Sequence, residues 1–351
     1  MTRDALRVLD AEGNRAAEGL RALEEVARFV LDDALTAAAL KDLRHRLRAA
    51  LPPVAVAQRD TAGDVGVGVR ADDEMQRANL VALVRANAAR VQEATRCAEE
   101  FAKLAGVPAY AHACAATRYA VYQLELKLLA RLPAWRLWAV RLYALIDTAL
   151  TDRPVEVAAA VARGGAGAVQ LRAKGLGARA YRELGARVAD ACRAHDALFV
   201  VNDHAAVARI LGADGLHVGQ DDLRVADARA VTGALCAIGV STHERAQVAQ
   251  AIADGADYLG CGPMYATVTK AHEPARGPEL LACVRELCAA RVPTYAIGGL
   301  DLARVRALRP RIPHGVAIAG ALCRAADPER AAAELRDLFE DDDRLLAGAA
   351  P

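Results

Sequence analysis

The apolar pattern of the chain changes period near residue 140, and no other feature of the sequence narrows its fold as much. Up to about residue 132 apolar side chains recur at three and four with charges between them, the spacing of one helix face. Leu20, Leu23, Val26, Ala27 and Val30 form one such stripe, and Leu80, Leu83, Val84, Asn87 and Val91 begin another. A Pro- and Gly-rich stretch at about 51–72 separates them and reads as a loop. From Leu142 onward short apolar runs alternate with helical stretches that repeatedly end in Gly. The runs are Leu142–Ile146, Ala168–Leu171, Leu198–Val201, Gly215–Val218, Ala237–Val240, Tyr258–Gly260, Thr294–Ile297 and Val316–Ile318. Eight such βα units predict an α/β fold of the (β/α)8 TIM-barrel type, because a doubly wound open sheet usually has fewer strands. The expected organisation is an all-α helical domain over 1–135, a linker over 136–141, the barrel over 142–340 and a frayed acidic tail over 341–351.

Composition agrees with two kinds of packing in one chain. Hydrophobic residues make up 54% of the 351, yet aromatics only 4%, so the core is expected to consist of Ala, Val, Leu and Ile. That suits packed helices and buried parallel strands. Lys and Arg number 45 against 44 acidic residues, which gives no polyanion-binding surface and no expectation of nucleic acid as a partner. No apolar run approaches the ~20 residues that cross a bilayer, and the start Met-Thr-Arg-Asp-Ala-Leu-Arg carries charge where a signal peptide is apolar. A cytoplasmic protein without membrane contact is expected. The eight cysteines form no Cys-x-x-Cys pair and read as small buried residues.

The helical half carries an internal repeat. Arg15, Glu18, Arg21, Glu24 and Glu25 recur as Arg90, Glu93, Arg96, Glu99 and Glu100, a shift of 90 − 15 = 75 residues. A second helix follows each copy, around Leu43-Arg44-His45 and Thr117-Arg118-Tyr119. A duplicated helical hairpin closing into one bundle accounts for this. Ion pairs on a wet helix face are the alternative. In the first reading Arg21 and Arg96 are phosphate clamps, with Glu18 and Glu93 orienting them.

In a barrel the residues that follow each strand carry the chemistry. Strand two runs out through Gln170-Leu171-Arg172-Ala173-Lys174, strand three through Asn202-Asp203, strand four through Gly219-Gln220-Asp221-Asp222 and strand five through Ser241. Strand six leads to Gly262-Pro263 and then Thr267-Val268-Thr269-Lys270, strand seven to Gly298-Gly299 and strand eight to Ala319-Gly320. Arg172, Lys174, Asn202, Ser241 and Lys270 are donors able to surround a diphosphate. Asp203 and Asp222 are hard oxygen ligands of the kind that hold Mg²⁺ against phosphate oxygens. The glycines after strands seven and eight suit a phosphomonoester bound by backbone N–H groups. Together they suggest a diphosphate leaving group meeting a phosphorylated acceptor. Each residue also has a plainer use: an Asp after a strand caps helices, glycines serve turns, and Lys270 alone is a solvated cation. No catalytic role is expected for His217 or His243, and His204 is expected to be exposed.

These motifs, in this order, resemble the thiamine phosphate synthase family. The resemblance rests on Gln170–Lys174, Asn202-Asp203, Gly215–Asp222, Gly239–His243, Gly260–Lys270 and Ile297–Gly299, and it covers about 142–338. It implies condensation of 4-amino-2-methyl-5-(diphosphooxymethyl)pyrimidine with thiazole phosphate, with release of diphosphate by a dissociative, Mg²⁺-assisted path. It implies Mg²⁺ on Asp203 and Asp222, and the pyrimidine diphosphate on Gln170, Arg172, Lys174, Asn202, Ser241 and Lys270. Thr267, Thr269, Gly299, Ala319 and Gly320 would hold the thiazole phosphate. In the strand-eight loop the family often has Ser where this chain reads Ala319-Gly320-Ala321, so a hydroxyl donor is lost there.

The helical half resembles a domain fused to some of these synthases and regarded as a hydroxymethylpyrimidine phosphate kinase. The shared residues are Asn14-Arg15, Glu18–Arg21, Glu24-Glu25, Leu43–His45, Arg59-Asp60, Asp64–Gly66 and the second-copy Arg90, Glu93 and Arg96. ATP would then be its phosphoryl donor and residues 1–135 would fold alone, though no G-x-x-x-x-G-K-[ST] loop is present. A thiazole tautomerase or regulatory paralogue on the same barrel, with the helical half a docking module, is the competing reading. Assembly into a homo-oligomer stays open.

Overall fold

The structure, a computed structural model, describes residues 3–60, 77, 79–266, 277–288 and 291–339. The tail at 341–351, the Asp64–Gly66 motif and Thr267, Val268, Thr269 and Lys270 lie outside the described residues. The chain divides into two compact units, Met1–Leu132 and Pro133–Pro351. Among the described residues no helix is long and apolar enough to cross a membrane.

In the first unit α1 (Arg3–Glu25) runs into a π-helical turn at Val26–Val30, and α2 (Ala34–Ala50) and the short α3 (Pro53–Val56) follow. Then come α4 (Leu80–Leu104) and α5 (Pro108–Ala130). Local chemistry sets the starts. The Asp33 side chain accepts the Thr36 N–H at 3.0 Å, the Asn79 side chain accepts the Ala82 N–H at 3.0 Å, and Pro108 opens α5 where a missing N–H costs nothing. The four long helices close a bundle in which α1 packs on α2 and α4, and α5 packs on the same two. Gly19 permits the α1–α4 approach, since a Cβ there would fall 2.7 Å from Val91 Cγ2 and 2.9 Å from the Asn87 carbonyl.

The repeat reappears as a pair of buried ion pairs. Arg44 of α2 reaches Glu24 of α1 at 2.9 Å, and Arg118 of α5 reaches Glu99 of α4 at 2.6 Å. The two glutamates stand 99 − 24 = 75 residues apart, the shift of the repeat. Each hairpin thus locks its own two helices with an Arg–Glu bond at the same place.

The second unit opens with α6 (Pro133–Arg136) and a 3₁₀ turn at Leu137–Ala139. Strands and helices then alternate: β1 (Leu142–Asp147), α7 (Pro154–Arg163), β2 (Ala168–Arg172), α8 (Ala178–Arg193), β3 (Leu198–Asn202), α9 (Ala205–Leu211), β4 (Gly215–Val218) and α10 (Val225–Thr232). The second half continues with β5 (Ala237–Thr242), α11 (Arg245–Ala253), β6 (Tyr258–Cys261), α12 (Gly277–Cys288), β7 (Thr294–Ile297), α13 (Leu302–Leu308), β8 (Gly315–Ile318), α14 (Gly320–Cys323) and α15 (Pro328–Asp337). The eight strands close a parallel barrel in sequence order, β8 pairing back onto β1.

All eight expected strands are present. β1, β2, β3, β5 and β6 run one or two residues further at their C-terminal ends, and β8 begins one residue earlier. The backbone ladder does not require apolar side chains, so it continues through the polar residues that turn into the mouth.

One expectation needs correction: residues 136–141 are not a linker, and the boundary falls at 132/133 rather than 135. Leu137 and Val140 are buried among Tyr143, Leu198, Tyr258 and Tyr295 inside the barrel, and Tyr295 donates its hydroxyl hydrogen bond to the Leu137 carbonyl at 2.7 Å. This segment covers the N-terminal ends of the strands because its apolar side chains fill space that short strands leave open. The aromatics, few as they are, also sit where composition did not place them. The rings of Tyr143 and Tyr295 lie 5.2 Å apart and those of Tyr143 and Tyr258 5.8 Å apart, filling the lower barrel. Gly239 makes room, since a Cβ there would fall 2.0 Å from the Tyr258 ring. Six cysteines are buried as expected, whereas Cys97 and Cys283 are half-buried; all eight are free thiols.

Candidate active site

Above the tyrosine layer the C-terminal mouth opens into a cavity of about 390 Å³. Gln170, Arg172, Asn202 and Ser241 line one side of it, and Gly299, Ala319 and Gly320 line the other. Lys174, Asp203 and Asp222 stand beside this cavity rather than in its lining. Lys270, Thr267 and Thr269 lie outside the described residues.

Asp203 follows β3 directly. Its backbone is left-handed, φ 63°, and its N–H donates to the His217 carbonyl at 2.9 Å. For a residue other than Gly that conformation is uncommon, and Asp tolerates it better than most. Neither aspartate serves as a helix cap. His204 precedes α9, Arg224 precedes α10, and neither helix receives a side-chain cap. Asp222 instead accepts the Gly219 N–H at 2.7 Å, which folds its loop back toward Asp203. Burial raises the pKa of the Asp203 carboxyl from its ordinary value, and the adjoining Asp222 carboxylate adds to the shift. Lys174, 3.8 Å away, and Arg172 oppose it.

Two close carboxylates in a partly dry place repel one another, and a divalent cation relieves that repulsion. The described residues contain no group of three or more His, Cys, Asp or Glu side chains around one point. Two carboxylates fit Mg²⁺ under those conditions, because it keeps its other positions for phosphate oxygens and water.

Sequence reasoning began the rim at strand two and so missed Asp147, the last residue of β1. Its backbone is in register with Arg172 and its side chain is 2% exposed. Oδ1 accepts the Ala149 N–H at 2.9 Å, while Oδ2 takes Nη1 of Arg172. A buried carboxylate thus fixes the guanidinium at the cavity wall. Reading the residue after strand one by the rule used for the others would have found it.

His217 and His243, expected at strand-end or rim positions without a catalytic role, both line the cavity. His217 ties Ser241 to the floor: its Nε2 lies 3.0 Å from Ser241 Oγ and its Nδ1 3.3 Å from the Tyr258 hydroxyl. The chain continues from Tyr258 to Tyr143 at 3.0 Å, and Gln170 Nε2 donates to the Tyr143 hydroxyl at 3.0 Å. Burial raises the pKa of both phenols, so they stay protonated and keep the network in one state. His243 Nδ1 lies 2.6 Å from the Gly262 carbonyl. His204 is exposed, as expected, with its ring edge-on to Tyr181.

On the opposite wall Gly298 and Gly299 have φ 99° and 63°. A Cβ on Gly298 would fall 2.5 Å from Pro263, and one on Gly299 2.7 Å from the Ala266 carbonyl. Only glycine meets both demands.

In the helical unit Arg21 pairs with Glu24 at 3.1 Å and with Glu25, and Arg96 pairs with Glu99 at 3.3 Å and Glu100 at 3.1 Å. The carboxylates that orient these arginines are therefore not Glu18 and Glu93, both of which are exposed. Burial selects Glu24 and Glu99, because Arg44 and Arg118 meet them from the second helix.

A closed parallel barrel whose mouth gathers Arg172, Asn202 and Ser241 beside a carboxylate pair has the layout of a (β/α)8 enzyme. A family model described as thiamine monophosphate synthase matches residues 142–322, and the ThiD2 family model matches residues 7–127. The chain belongs to the thiamine-phosphate synthase family, whose members are transferases. A Gloeobacter violaceus protein named thiamine-phosphate synthase is 41% identical over 328 residues, covering 93% of this chain and 95% of its own. A protein of that name from Rhodopirellula baltica is 37% identical over 359 residues, covering 97% and 94%. The solved thiamine phosphate pyrophosphorylase from Pyrococcus furiosus is 31% identical with a TM-score of 0.53, covering 59% of this chain and 98% of that one.

Proposed function

We propose that the barrel joins 4-amino-2-methyl-5-(diphosphooxymethyl)pyrimidine to thiazole phosphate, giving thiamine phosphate and diphosphate. The observation that carries this reading is the gathering of Arg172, Asn202 and Ser241 in one cavity with the Asp203–Asp222 pair beside it. The pyrimidine methylene loses its C–O bond, the electron pair leaving with the diphosphate, and the thiazole nitrogen lone pair then forms the C–N bond. The aminopyrimidine ring stabilises the cation between these events, so no protein nucleophile is required. Asp203 and Asp222 would hold Mg²⁺, which when bound would neutralise charge on the departing diphosphate. The protein's own part is positional. Gln170 and the Ser241–His217 pair meet the substrate at depth, and Arg172, pinned by Asp147, meets charge that grows as the C–O bond breaks.

Arg172→Ala is expected to lower kcat by about two to three orders of magnitude, as loss of one preorganised donor does. The KM for thiazole phosphate should stay close to wild type. Steady-state kinetics check this, and a KM effect as large as the kcat effect would contradict separate sites. Asp147→Asn should reproduce part of the kcat loss without removing the guanidinium.

The helical unit is proposed to phosphorylate hydroxymethylpyrimidine phosphate with ATP. Its support is the matching pair of Arg21 and Arg96 clusters, since phosphoryl transfer between anions needs cations and positioning more than a nucleophile. The intact chain, given ATP, Mg²⁺ and pyrimidine monophosphate without thiazole, should form the pyrimidine diphosphate by mass spectrometry. Arg21→Ala and Arg96→Ala should each reduce it at least tenfold. If no diphosphate forms under any nucleotide or metal, the docking-module reading stands instead.

A further inference from the structure

We infer that Arg304 and Arg324 form a cationic clamp on the strand-seven and strand-eight side of the barrel mouth, selecting an acceptor that carries a phosphomonoester over the corresponding free alcohol. The identity of the acceptor rests on the function proposed above; the clamp itself rests on how charge is distributed round the mouth. On the side of β1 to β3 each cation already faces a carboxylate, Arg172 on Asp147 and Lys174 on Asp203. On the other side the loops after β7 and β8 offer Gly298-Gly299 and Ala319-Gly320, which carry no charged side chain. Among the described residues Arg304 and Arg324 are the cations that line the cavity there, and Asp301 is the one carboxylate beside them, as far from Arg304 as Asp203 is from Lys174, 3.8 Å.

Arg304 is held in place before any ligand arrives. It projects from the first turn of α13, donates Nη1 to the Gly299 carbonyl at 2.5 Å and lies 4.7 Å over the Tyr265 ring. Its nearest carboxylate, Asp301, is 3.8 Å away and already accepts the Arg304 backbone N–H at 2.9 Å. Most of the five guanidinium N–H donors therefore remain for a ligand. Arg324 follows α14 and is exposed, and among the described residues no carboxylate or carbonyl accepts from its guanidinium. A Cβ added to Gly320 meets nothing within 4 Å, so there is room beside the strand-eight loop. A phosphomonoester carries about −1.5 to −2 charge near neutral pH. Two guanidinium groups against one carboxylate, Asp301, leave that wall net positive, and their planar forks suit phosphate oxygens better than an ammonium does.

The test is calorimetric titration of the full-length protein with thiazole phosphate and, separately, with the unphosphorylated thiazole alcohol. Wild type should bind the ester far more tightly than the alcohol. Arg304→Ala and Arg324→Ala should each weaken ester binding by about tenfold, the size of one charge-assisted hydrogen bond, with alcohol binding unchanged. Arg324→Lys should recover only part of the loss. Wild type that binds ester and alcohol equally overturns the clamp, as do variants that keep ester affinity or lose both ligands alike. Turnover of the wild type is measured alongside: its absence refutes the proposed synthase activity, while the ester-to-alcohol ratio still decides the clamp.

Discussion

Asp203→Asn and Asp222→Ala are each expected to lower synthase turnover by about a thousandfold or more, because a metal bound to diphosphate contributes several kcal/mol of charge stabilisation. The fold should hardly notice. Asn keeps the left-handed tolerance that φ 63° requires, and it removes one of two carboxylates that repel each other. Asp222→Ala gives up a hydrogen bond from Gly219, worth about 1 kcal/mol on an exposed loop. Kinetics across a Mg²⁺ series, paired with thermal melts, separate the two effects. Turnover near wild type at ordinary Mg²⁺ in either variant would show that the carboxylate pair does not hold the metal.

Glu99→Ala is expected to destabilise the helical unit by about 3–5 kcal/mol, and Glu24→Ala by a similar amount. Each substitution strands an arginine, Arg118 or Arg44, that is about nine-tenths buried. The exposed repeat mate Glu93→Ala should stay within about 0.5 kcal/mol. Denaturant unfolding followed by circular dichroism measures all three, and equal small losses would return these pairs to the class of solvated surface charges. Acid should act on the same bond. Lys103 and Arg118 hold the Glu99 carboxyl down to about 2, against 4.5 for a free glutamate. Its contribution is therefore complete above about pH 4.5 and disappears as pH falls toward 2. In Glu99→Gln that part of the acid sensitivity should vanish.

The barrel could be read from apolar runs because parallel strands buried on both faces leave little room for polar side chains, and every run began within a residue of its strand. The ends were harder to read. Arg172, Asn202 and Ser241 belong to the ladder by hydrogen bonding, yet their side chains answer to the cavity. Asp147 was legible by the rule used for the other strands, as the residue directly after the first apolar run. In the helical half the spacing around Arg21 offers carboxylates at Glu18, Glu24 and Glu25, and periodicity on one helix cannot choose among them. The choice is made by Arg44, twenty residues away, which only the closed hairpin brings to Glu24. The tyrosine floor left no pattern at all, because three rings spread over β1, β6 and β7 meet only when the sheet closes.

That floor has a consequence for traffic. With Tyr143, Tyr258 and Tyr295 packed over Leu137, the described residues close the barrel at the N-terminal ends of its strands. Whatever reaches Gln170 and Ser241 must pass the mouth first, and it cannot leave past an occupant still seated there. Two ligands seated at different depths would then have to enter and leave in turn.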